Sequence, residues 1–388
     1  MAEAELALLG HLIGDGCTLP RQPIHYTTND MTLAETVAAL AIEQFGDAIR
    51  PRINRERQWY QVYLAAGYRL THGVRNPIAQ WLDEMGVFGL RSHEKHVPQR
   101  VFAQPAKSIA RFLRHLWATD GCVHHSSGAK HYMGIYYASS SLQLARDVQS
   151  LLLRLSINAV LARRSQGAKG RDQYHVIVSG KGDIERFFAQ VGVIGQNKIT
   201  HGAAIVDALD GKIANTNRDV LPREIWRQHA VPAMQVAGMS ARNMQAQLGT
   251  AYCGTALYKQ NVSRERALRL AQVVGSPDLL KLADSDVYWD EIIAIEPDGD
   301  AEVYDLTVEG LHNFVAGDIV AHNSIEQDAD IVMFIYREEL YDKETDKKGI
   351  AELHIAKHRN GPIGVVPMRF DAATTRFDDL TYRTPEGY

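Results

Sequence analysis

Two Asp-Gly pairs, each ending an apolar run, are the residues of this sequence best suited to chemistry. Asp15 closes LLGHLIGDGC (8–17) and Asp120 closes LRHLWATDGC (113–122), an offset of 105 residues. Two carboxylates brought face to face repel unless a cation joins them. Mg²⁺ fits such a pair, because it is bound by one or two carboxylates together with the phosphates of a substrate. The reaction suggested is metal-assisted hydrolysis of a phosphodiester, in which water is activated or the leaving oxygen stabilised. For that, the surrounding elements must bring two distant acids to one place.

Duplicated sequence supplies those elements. HYTTNDMTLAETVAAL (25–40) is echoed by YYASSSLQLARDVQSL (136–151), QWYQVYLAAG (58–67) by DQYHVIVSG (172–180) and MGVFG (85–89) by VGVIG (191–195); with the acids, the offsets run from 105 to 114. Repetition of this kind constrains a fold more than local propensity does. Each half reads as an apolar helix ending in Asp-Gly, a strand, an amphipathic helix, a hairpin and one or two closing helices. Leu33, Val37, Leu40 and Ala41 fall at helical spacing over 33–45, as do Leu144, Val148, Leu151 and Leu152 in the echo. QWYQVYL and YHVIV run as half-buried strands do. Gly10 and Gly14, four residues apart, leave a bare stripe on the first helix. If the helix over 109–119 packs on that stripe, the two chain ends deliver Asp15 and Asp120 side by side in a pseudo-twofold unit.

At 388 residues the chain is long enough for two to four domains, and its charge is unevenly spread among them. Residues 1–200 carry 23 Lys/Arg against 16 Asp/Glu, a net +7; residues 201–323 carry 10 against 17, a net −7; residues 324–388 carry 9 against 13, a net −4. Only the first segment has the sign of a nucleic-acid binder. Its hairpin arm IRPRINRERQ holds Arg50, Arg52, Arg55 and Arg57, and the echo LARRSQGAKGR holds Arg163, Arg164, Lys169 and Arg171. Such a pair of arms can track phosphates along one groove of double-stranded DNA; a solvated hairpin surface is the plainer alternative. No apolar run long enough to span a bilayer and no basic leader occurs, so a cytoplasmic protein without a membrane partner is expected. Cys17, Cys122 and Cys253 lack C-x-x-C spacing and cannot build a disulfide framework.

Together these features resemble the LAGLIDADG homing endonucleases in their two-motif, single-chain form, over about residues 6–200. One such motif is weak evidence; two at this spacing in a duplicated scaffold are strong. The resemblance implies a saddle-shaped αββαββα pair that cleaves long, specific DNA sites with Mg²⁺ held by the last acid of each motif, here Asp15 and Asp120. It also implies a supporting lysine in each half, which falls on Lys95 (RSHEKHVP) and Lys198 (IGQNKIT), 80 and 78 residues beyond their acids. The sixth motif position, often acidic in the family, is Ile13 and Ala118, and is not the metal ligand. The third position of the second motif is His115 where the family has a small residue, and its bulk is expected to hold the helices apart.

Residues 201–284 read as a helical linker, in which MSARNMQAQLGTAYCGTALYKQNVSRERALRLAQ loosely resembles a helix-turn-helix, with Arg264, Arg266 and Arg269 placed to meet DNA. A linker with one charged face is an equal alternative. Residues 285–323 read as β structure, with IIAI, VYDLTV and HNFVAG-DIVAHN as short strands broken at Asp-Gly and Gly-Asp turns. This segment ends in His322-Asn323, followed by Ser324. The amide nitrogen of Asn323 can attack its own backbone carbonyl, closing a succinimide and releasing the downstream chain. His322 can donate a proton or hydrogen bond to that carbonyl or the leaving amine, and Ser324 offers a hydroxyl for acyl transfer. VYDLTVEGLHNFVAGDIVAHNS resembles the C-terminal splicing motifs of inteins, over about residues 287–324. That resemblance implies Asn323 as the cyclising residue, His322 as its helper, His312 as a second histidine assisting cleavage, Asp305 as the acid linking the two splice steps, and Ser324 as the first residue of the host. An intein opens on Cys or Ser followed by a Thr-x-x-His segment, and residues 1–30 contain none. The N-terminal splicing half is therefore expected on a separate chain, lost, or cut away by a misplaced start, and this chain alone is not expected to ligate.

Residues 324–388 read as short strands and polar turns that bury too little to stand alone. SIEQDADIVMFIYREELY and GIAELHIAKHRNGPIGVVPMRF resemble the C-terminal end of replicative DNA helicases of the DnaB family, which form homohexamers. In that family the Lys-x-Arg pair of the AKHRNG segment reaches the ATP of the neighbouring subunit, which implies that role for Lys357 and Arg359. A guanidinium there stabilises charge developing on the γ-phosphate. No G-x-x-x-x-G-K-[ST] occurs in the 388 residues, so ATP is expected only in the complete host. The fold class expected is α/β (α+β): a pseudo-twofold saddle over 1–200, a helical linker over 201–284, the all-β C-terminal part of a Hint-type intein over 285–323 and the terminal strands of a RecA-like ATPase over 324–388. The function expected is an intein-borne, site-specific DNA endonuclease plus the C-terminal half of an autocatalytic splicing element, fused to the end of a replicative helicase. The alternatives are an ATP-dependent helicase subunit formed after splicing with a separate N-terminal chain, and an inactive remnant.

Overall fold

The computed structural model describes residues 1–126, 132–167, 170–297, 299–302, 308, 313–322, 331–340, 345–358, 361–372, 374 and 376–380, and of His322 the backbone alone. Contacts divide the chain into two units, Met1–Ile293 and Ala294–Tyr388.

The duplication is visible as architecture. The first half runs α1 (Glu3–Asp15), β1 (Gly16–Cys17), β2 (His25–Thr28), α2 (Met31–Phe45), β3 (Ile49–Glu56), β4 (Trp59–Ala66), α3 (Pro77–Glu84) and α4 (Gln99–Phe102). The second runs α5 (Ala106–Trp117), β5 (Gly121–Ser126), β6 (Tyr132–Ser139), α6 (Leu142–Leu153), β7 (Ala159–Arg164), β8 (Gln173–Val178), α7 (Lys181–Arg186) and α8 (Gln196–Leu209). Each half holds an antiparallel sheet, in the orders β1-β2-β4-β3 and β5-β6-β8-β7. The likeness extends to the helix caps: Asp30 accepts from Thr32 N at 2.9 Å to start α2, and Ser141 accepts from Leu144 N at 3.1 Å to start α6.

One core serves both halves, with Leu6, Tyr26, Leu64, Phe112, Trp117, Tyr137 and Phe187 inaccessible to solvent or nearly so. Helix α1 is apolar on almost every side because it runs through the middle of that core, whereas α5 keeps its charged Arg111 and Arg114 away from it. The end of the first half crosses onto the second: Val97 N donates to Asp147 Oδ2 at 2.8 Å, and Ser141 Oγ donates to Lys95 O at 2.6 Å.

Within the same unit, β9 (Val220–Leu221), α9 (Val231–Val236), α10 (Ala241–Gln247), β10 (Val262–Ser263), α11 (Arg264–Val274) and α12 (Pro277–Asp284) close round a second core that includes Trp226, Met244, Leu270 and Leu279. This departs from a bare linker. Helices α10 and α11 do not make a tight helix-turn-helix with each other, since residues 248–263, including β10, separate them, where that motif allows three or four. Arg264 is not free for DNA. It grips both oxygens of Asp219 at 2.8 and 3.1 Å and donates to the carbonyls of Leu282, Ala283, Ser285 and Val287, closing the end of α12. Arg269 lies 3.8 Å from Glu265 on its own helix.

In the second unit, β11 (Asn313–Ala316) and β12 (Ile319–His322) form a hairpin whose turn residues Gly317 and Asp318 both have positive φ, 55° and 66°. That is the backbone a two-residue hairpin turn demands, and Gly-Asp suits it. IIAI, read as a strand, does not pair as one: Ile292, Ile293 and Ile295 are 78, 92 and 89% exposed, and among the described residues no strand pairs with them. VYDLTV over 303–308 lies outside the described residues apart from Val308. Strands β13 (Ile331–Tyr336), β14 (Ile350–His358), β15 (Gly364–Asp371) and β16 (Arg376–Asp379) form an antiparallel meander that leaves Met333, Phe334, Ile335 and Val365 exposed. Among the described residues no helix is long and apolar enough to cross a membrane.

Candidate active site

Helices α1 and α5 meet backbone to backbone. A Cβ added at Gly10 would lie 2.9 Å from both Leu116 N and Phe112 O, so only glycine permits this approach. His115 does not hold the helices apart. Its imidazole turns into the interface and meets His11 of α1, Nδ1 to Nε2, at 3.0 Å.

Helix α1 ends at Asp15 and α5 ends at Trp117, three residues before Asp120; both acids are exposed at the surface, with protein crowding them from one side. That partial burial pushes Asp15 up to about 7, with repulsion by Asp120 next, against attraction from Lys95 and Lys198. Burial likewise raises Asp120, opposed by the same two lysines. Water at the open side tempers both effects. Burial lowers Lys95 and holds Lys198 at about 8, while Asp15 and Asp120 pull each lysine back up. The four groups, drawn from both halves, therefore form one electrostatic cluster.

The lysines are held by the helix ends. Lys95 Nζ donates to Gly14 O at 2.8 Å and Gly16 O at 3.0 Å; Lys198 Nζ donates to the carbonyls of Trp117, Ala118 and Thr119 at 2.7, 2.9 and 3.1 Å. A cation beside the carbonyls that a helix leaves unpaired is favourable. Ile13 and Ala118, at the sixth motif positions, are buried.

The basic arms are more scattered than their sequence implies. Strand side chains alternate between faces, so Arg50 and Arg52 stand on the open face of the first sheet, opposite buried Ile49, while Arg55 points to the other side. Arg57 sits at the hairpin tip with φ 57°. Arg164 stands on the open face of the second sheet, whereas Arg163 is drawn to Asp172, Nε to Oδ2 at 2.6 Å. Arg171 lines a cavity of about 790 Å³ with Arg91, His93, Lys95 and Cys17. Lys169 lies outside the described residues. Between the arms and the acids, the open faces carry His25, Gln61 and Tyr63 on one sheet and His124, Tyr136 and His175 on the other, with the Tyr136 and His175 rings stacked at 4.6 Å. Sequence reading missed these six; the alternation of polar with buried positions in QWYQVYL and YHVIV was the signal for Gln61, Tyr63 and His175.

Of the junction residues, His322 pairs with Asn313 in the β11–β12 hairpin, whereas Asp305, His312, Asn323 and Ser324 lie outside the described residues. Lys357 is half-buried on β14, paired with Val332, and Arg359 lies outside the described residues.

Two family models match this chain: a LAGLIDADG-like domain at residues 107–192 and a DnaB-like helicase C terminal domain at 308–379. The replicative DNA helicase DnaB of Nostoc sp. is 56% identical over 380 residues, 98% of this chain and 43% of its own length. The chain is similar to a replicative DNA helicase DnaB over nearly its whole length and to a LAGLIDADG-like domain over 107–192. By contrast, DnaB of Buchnera aphidicola subsp. Baizongia pistaciae is 52% identical over only 67 residues, 17% of this chain. One DnaB thus matches nearly all of the chain and another matches a short stretch, as an inserted LAGLIDADG-like domain requires. A solved structure, the homing endonuclease I-DmoI in complex with DNA and Mn, is similar to 49% of this chain and 96% of its own at 13% identity, with a TM-score of 0.35. The chain spans less than half the length of the Nostoc relative.

Proposed function

We propose that residues 1–200 are a site-specific endonuclease that hydrolyses double-stranded DNA with Mg²⁺ held by Asp15 and Asp120. The observation that carries this reading is the single cluster of Asp15, Asp120, Lys95 and Lys198, assembled from two halves. The donor set suits a hard dication, because two oxygen ligands raised by burial and mutual repulsion are relieved by positive charge. Among the described residues no group of three or more His, Cys, Asp or Glu comes together as a complete metal cage, so phosphate and water oxygens are left to fill the shell. When bound, such an ion supplies an activated water and offsets charge on the leaving oxygen. Lys95 presents positive charge to the phosphate that gains charge during cleavage, while Lys198 adds its charge to the cluster from the helix end it holds. Arg50, Arg52, Arg57, Arg164, Lys169 and Arg171 position the duplex through its backbone, Arg55 on the other sheet face and Arg163 beside Asp172 contribute less, and His25, Gln61, Tyr63, His124, Tyr136 and His175 face the base edges. A plasmid carrying the uninterrupted helicase coding sequence is expected to be cut in Mg²⁺ and left intact in EDTA; an intact plasmid under both conditions removes the reading.

The segment 285–323 acts on this reading as the C-terminal half of a self-splicing element: Asn323 cyclises, His322 and His312 assist, Asp305 links the two steps and Ser324 opens the host. The contrast between the long Nostoc match and the short Buchnera match supports it, since an element placed inside a host coding sequence needs a means of leaving the host protein. Mass spectrometry of incubated protein is expected to show a released piece starting at Ser324, absent in Asn323→Ala. An unchanged intact mass would show that this half does not act alone and needs a separate N-terminal chain. In the assembled host helicase, a homohexamer, Lys357 and Arg359 reach the ATP of the next subunit.

A further inference from the structure

His11 stands four residues before Asp15 on α1, about one helical turn, and His115 stands five before Asp120 on α5. Their rings meet across the interface, Nδ1 of His115 at 3.0 Å from Nε2 of His11, with centroids 5.0 Å apart at 71°. They are 0 and 7% exposed. Burial holds His11 down at about 3, with His115 and Lys198 adding to the effect, and holds His115 at about 4, with Arg111 and Arg114 adding to it. Both rings are therefore neutral at neutral pH, and one donates to the other. His11 Nδ1 has no partner. A buried bare lone pair is easier to tolerate than a buried orphan N–H, so His11 Nε2–H is the donor and His115 Nδ1 the acceptor. The Tyr26 ring, edge-on to His11 at 5.2 Å, keeps the donor from swinging away.

We propose that this hydrogen bond sets the separation and register of α1 and α5 one turn above the acids, making His11 and His115 positioning residues for Asp15 and Asp120. The proposal rests on the reading of the two acids as the metal-holding pair. Close contact at Gly10 sets how near the helices come but lets them slide, because backbone packing there is not directional. A buried bond between two rings loses its strength as soon as distance or angle drifts, so it fixes the slide as well.

The test is Mn²⁺ binding to the full chain, followed by the spectroscopic signal of free Mn²⁺, together with imidazole nitrogen NMR of the metal-free protein. The NMR is expected to show His11 as the Nε2–H tautomer, bonded to the His115 ring. His115→Ala is expected to weaken Mn²⁺ binding at least about tenfold, as loss of a group that orients a ligand does. His115→Asn, whose Oδ1 replaces the accepting nitrogen, and His11→Gln, whose Nε2 replaces the donor, are expected to bind close to the parent protein. If His115→Ala unfolds cooperatively like the parent and still binds Mn²⁺ equally well, or if the Asn and Gln variants fall as far as Ala, the positioning role is overturned. Loss of Mn²⁺ in Asp15→Asn alongside retention in His115→Ala would overturn that role and leave the metal pair standing. Retention in both would overturn the metal pair as well.

Discussion

Lys95 and Lys198 occupy equivalent places in the two halves, yet their ammonium groups are used differently. Lys95 donates to two helix-end carbonyls and keeps a third N–H, whereas Lys198 donates to three and keeps none. The second half thus uses its lysine to lock a helix end, and the first leaves its lysine able to reach a substrate. Duplication has preserved the charge and let its employment diverge.

That difference can be broken by substitution. Lys95→Met is expected to lower the DNA cleavage rate about a hundredfold with little change in melting temperature, since it removes a charge aimed at the reacting phosphate. Lys198→Met is expected to show the converse balance in denaturant titrations, losing about 1–3 kcal/mol of stability as carbonyls at the end of α5 lose their donor. Matching profiles for the two variants would erase the distinction.

The glycines sharpen the same comparison from the packing side. Gly10→Ala places a Cβ against backbone atoms of α5 at 2.9 Å and is expected to cost about 1–3 kcal/mol by chemical denaturation, because neither helix can yield. Gly14→Ala meets the Thr119 side chain instead. Rotation of that side chain gives up its 2.6 Å bond to Leu116 O and moves its outer atoms, but its Cβ stays 2.5 Å from the added carbon, so the helix ends must part and the expected loss is again about 1–3 kcal/mol.

The acids carry a pH signature whose sign follows from burial. Asp15 is raised from 3.8 to about 7, so its proton is held more tightly in the folded chain; the stability it contributes is complete below 3.8 and is lost as pH rises through about 7. In metal-free protein Asp15→Asn is therefore expected to raise the melting temperature above that window and not below it. A variant that lowers it at alkaline pH would contradict the crowding of the two acids. The buried histidines slope the other way: held at about 3 and about 4, they cost stability as pH falls below 6.5.

The smallest effects belong to the arms. Arg52→Ala, on an open sheet face, is expected to lower the slope of log affinity against log salt by about 1 in DNA-binding titrations. Arg163→Ala, whose guanidinium is already turned to Asp172, is expected to change it less. Equal slopes would mean that the two arms are not distinguished by their ion pairs.

Much of the site was legible in the sequence because the chemistry is repeated there. Asp15 and Asp120 end matching apolar runs, so their equivalence could be read without coordinates, whereas Lys95 and Lys198 were reached only through the resemblance to the LAGLIDADG family. The Gly317-Asp318 turn was legible too, since positive φ at two positions narrows the choice of residue. The hidden features depend on partners far along the chain. The bulk of His115 was visible, but not that His11 would receive it. Arg264 looked like a surface charge, because nothing near it in sequence announces Asp219 or the end of α12. IIAI has the composition of a strand, yet among the described residues no strand pairs with it, and a strand needs neighbouring backbone as well as composition.

The most direct test of a single shared site is strand-resolved cleavage of a duplex carrying the uninterrupted helicase sequence, each strand bearing its own end label, in Mg²⁺. Asp15→Asn and Asp120→Asn should each lower cutting of both strands by at least about a thousandfold relative to the parent protein, because each acid belongs to the same cluster. Parental cutting of both strands by either variant would contradict it.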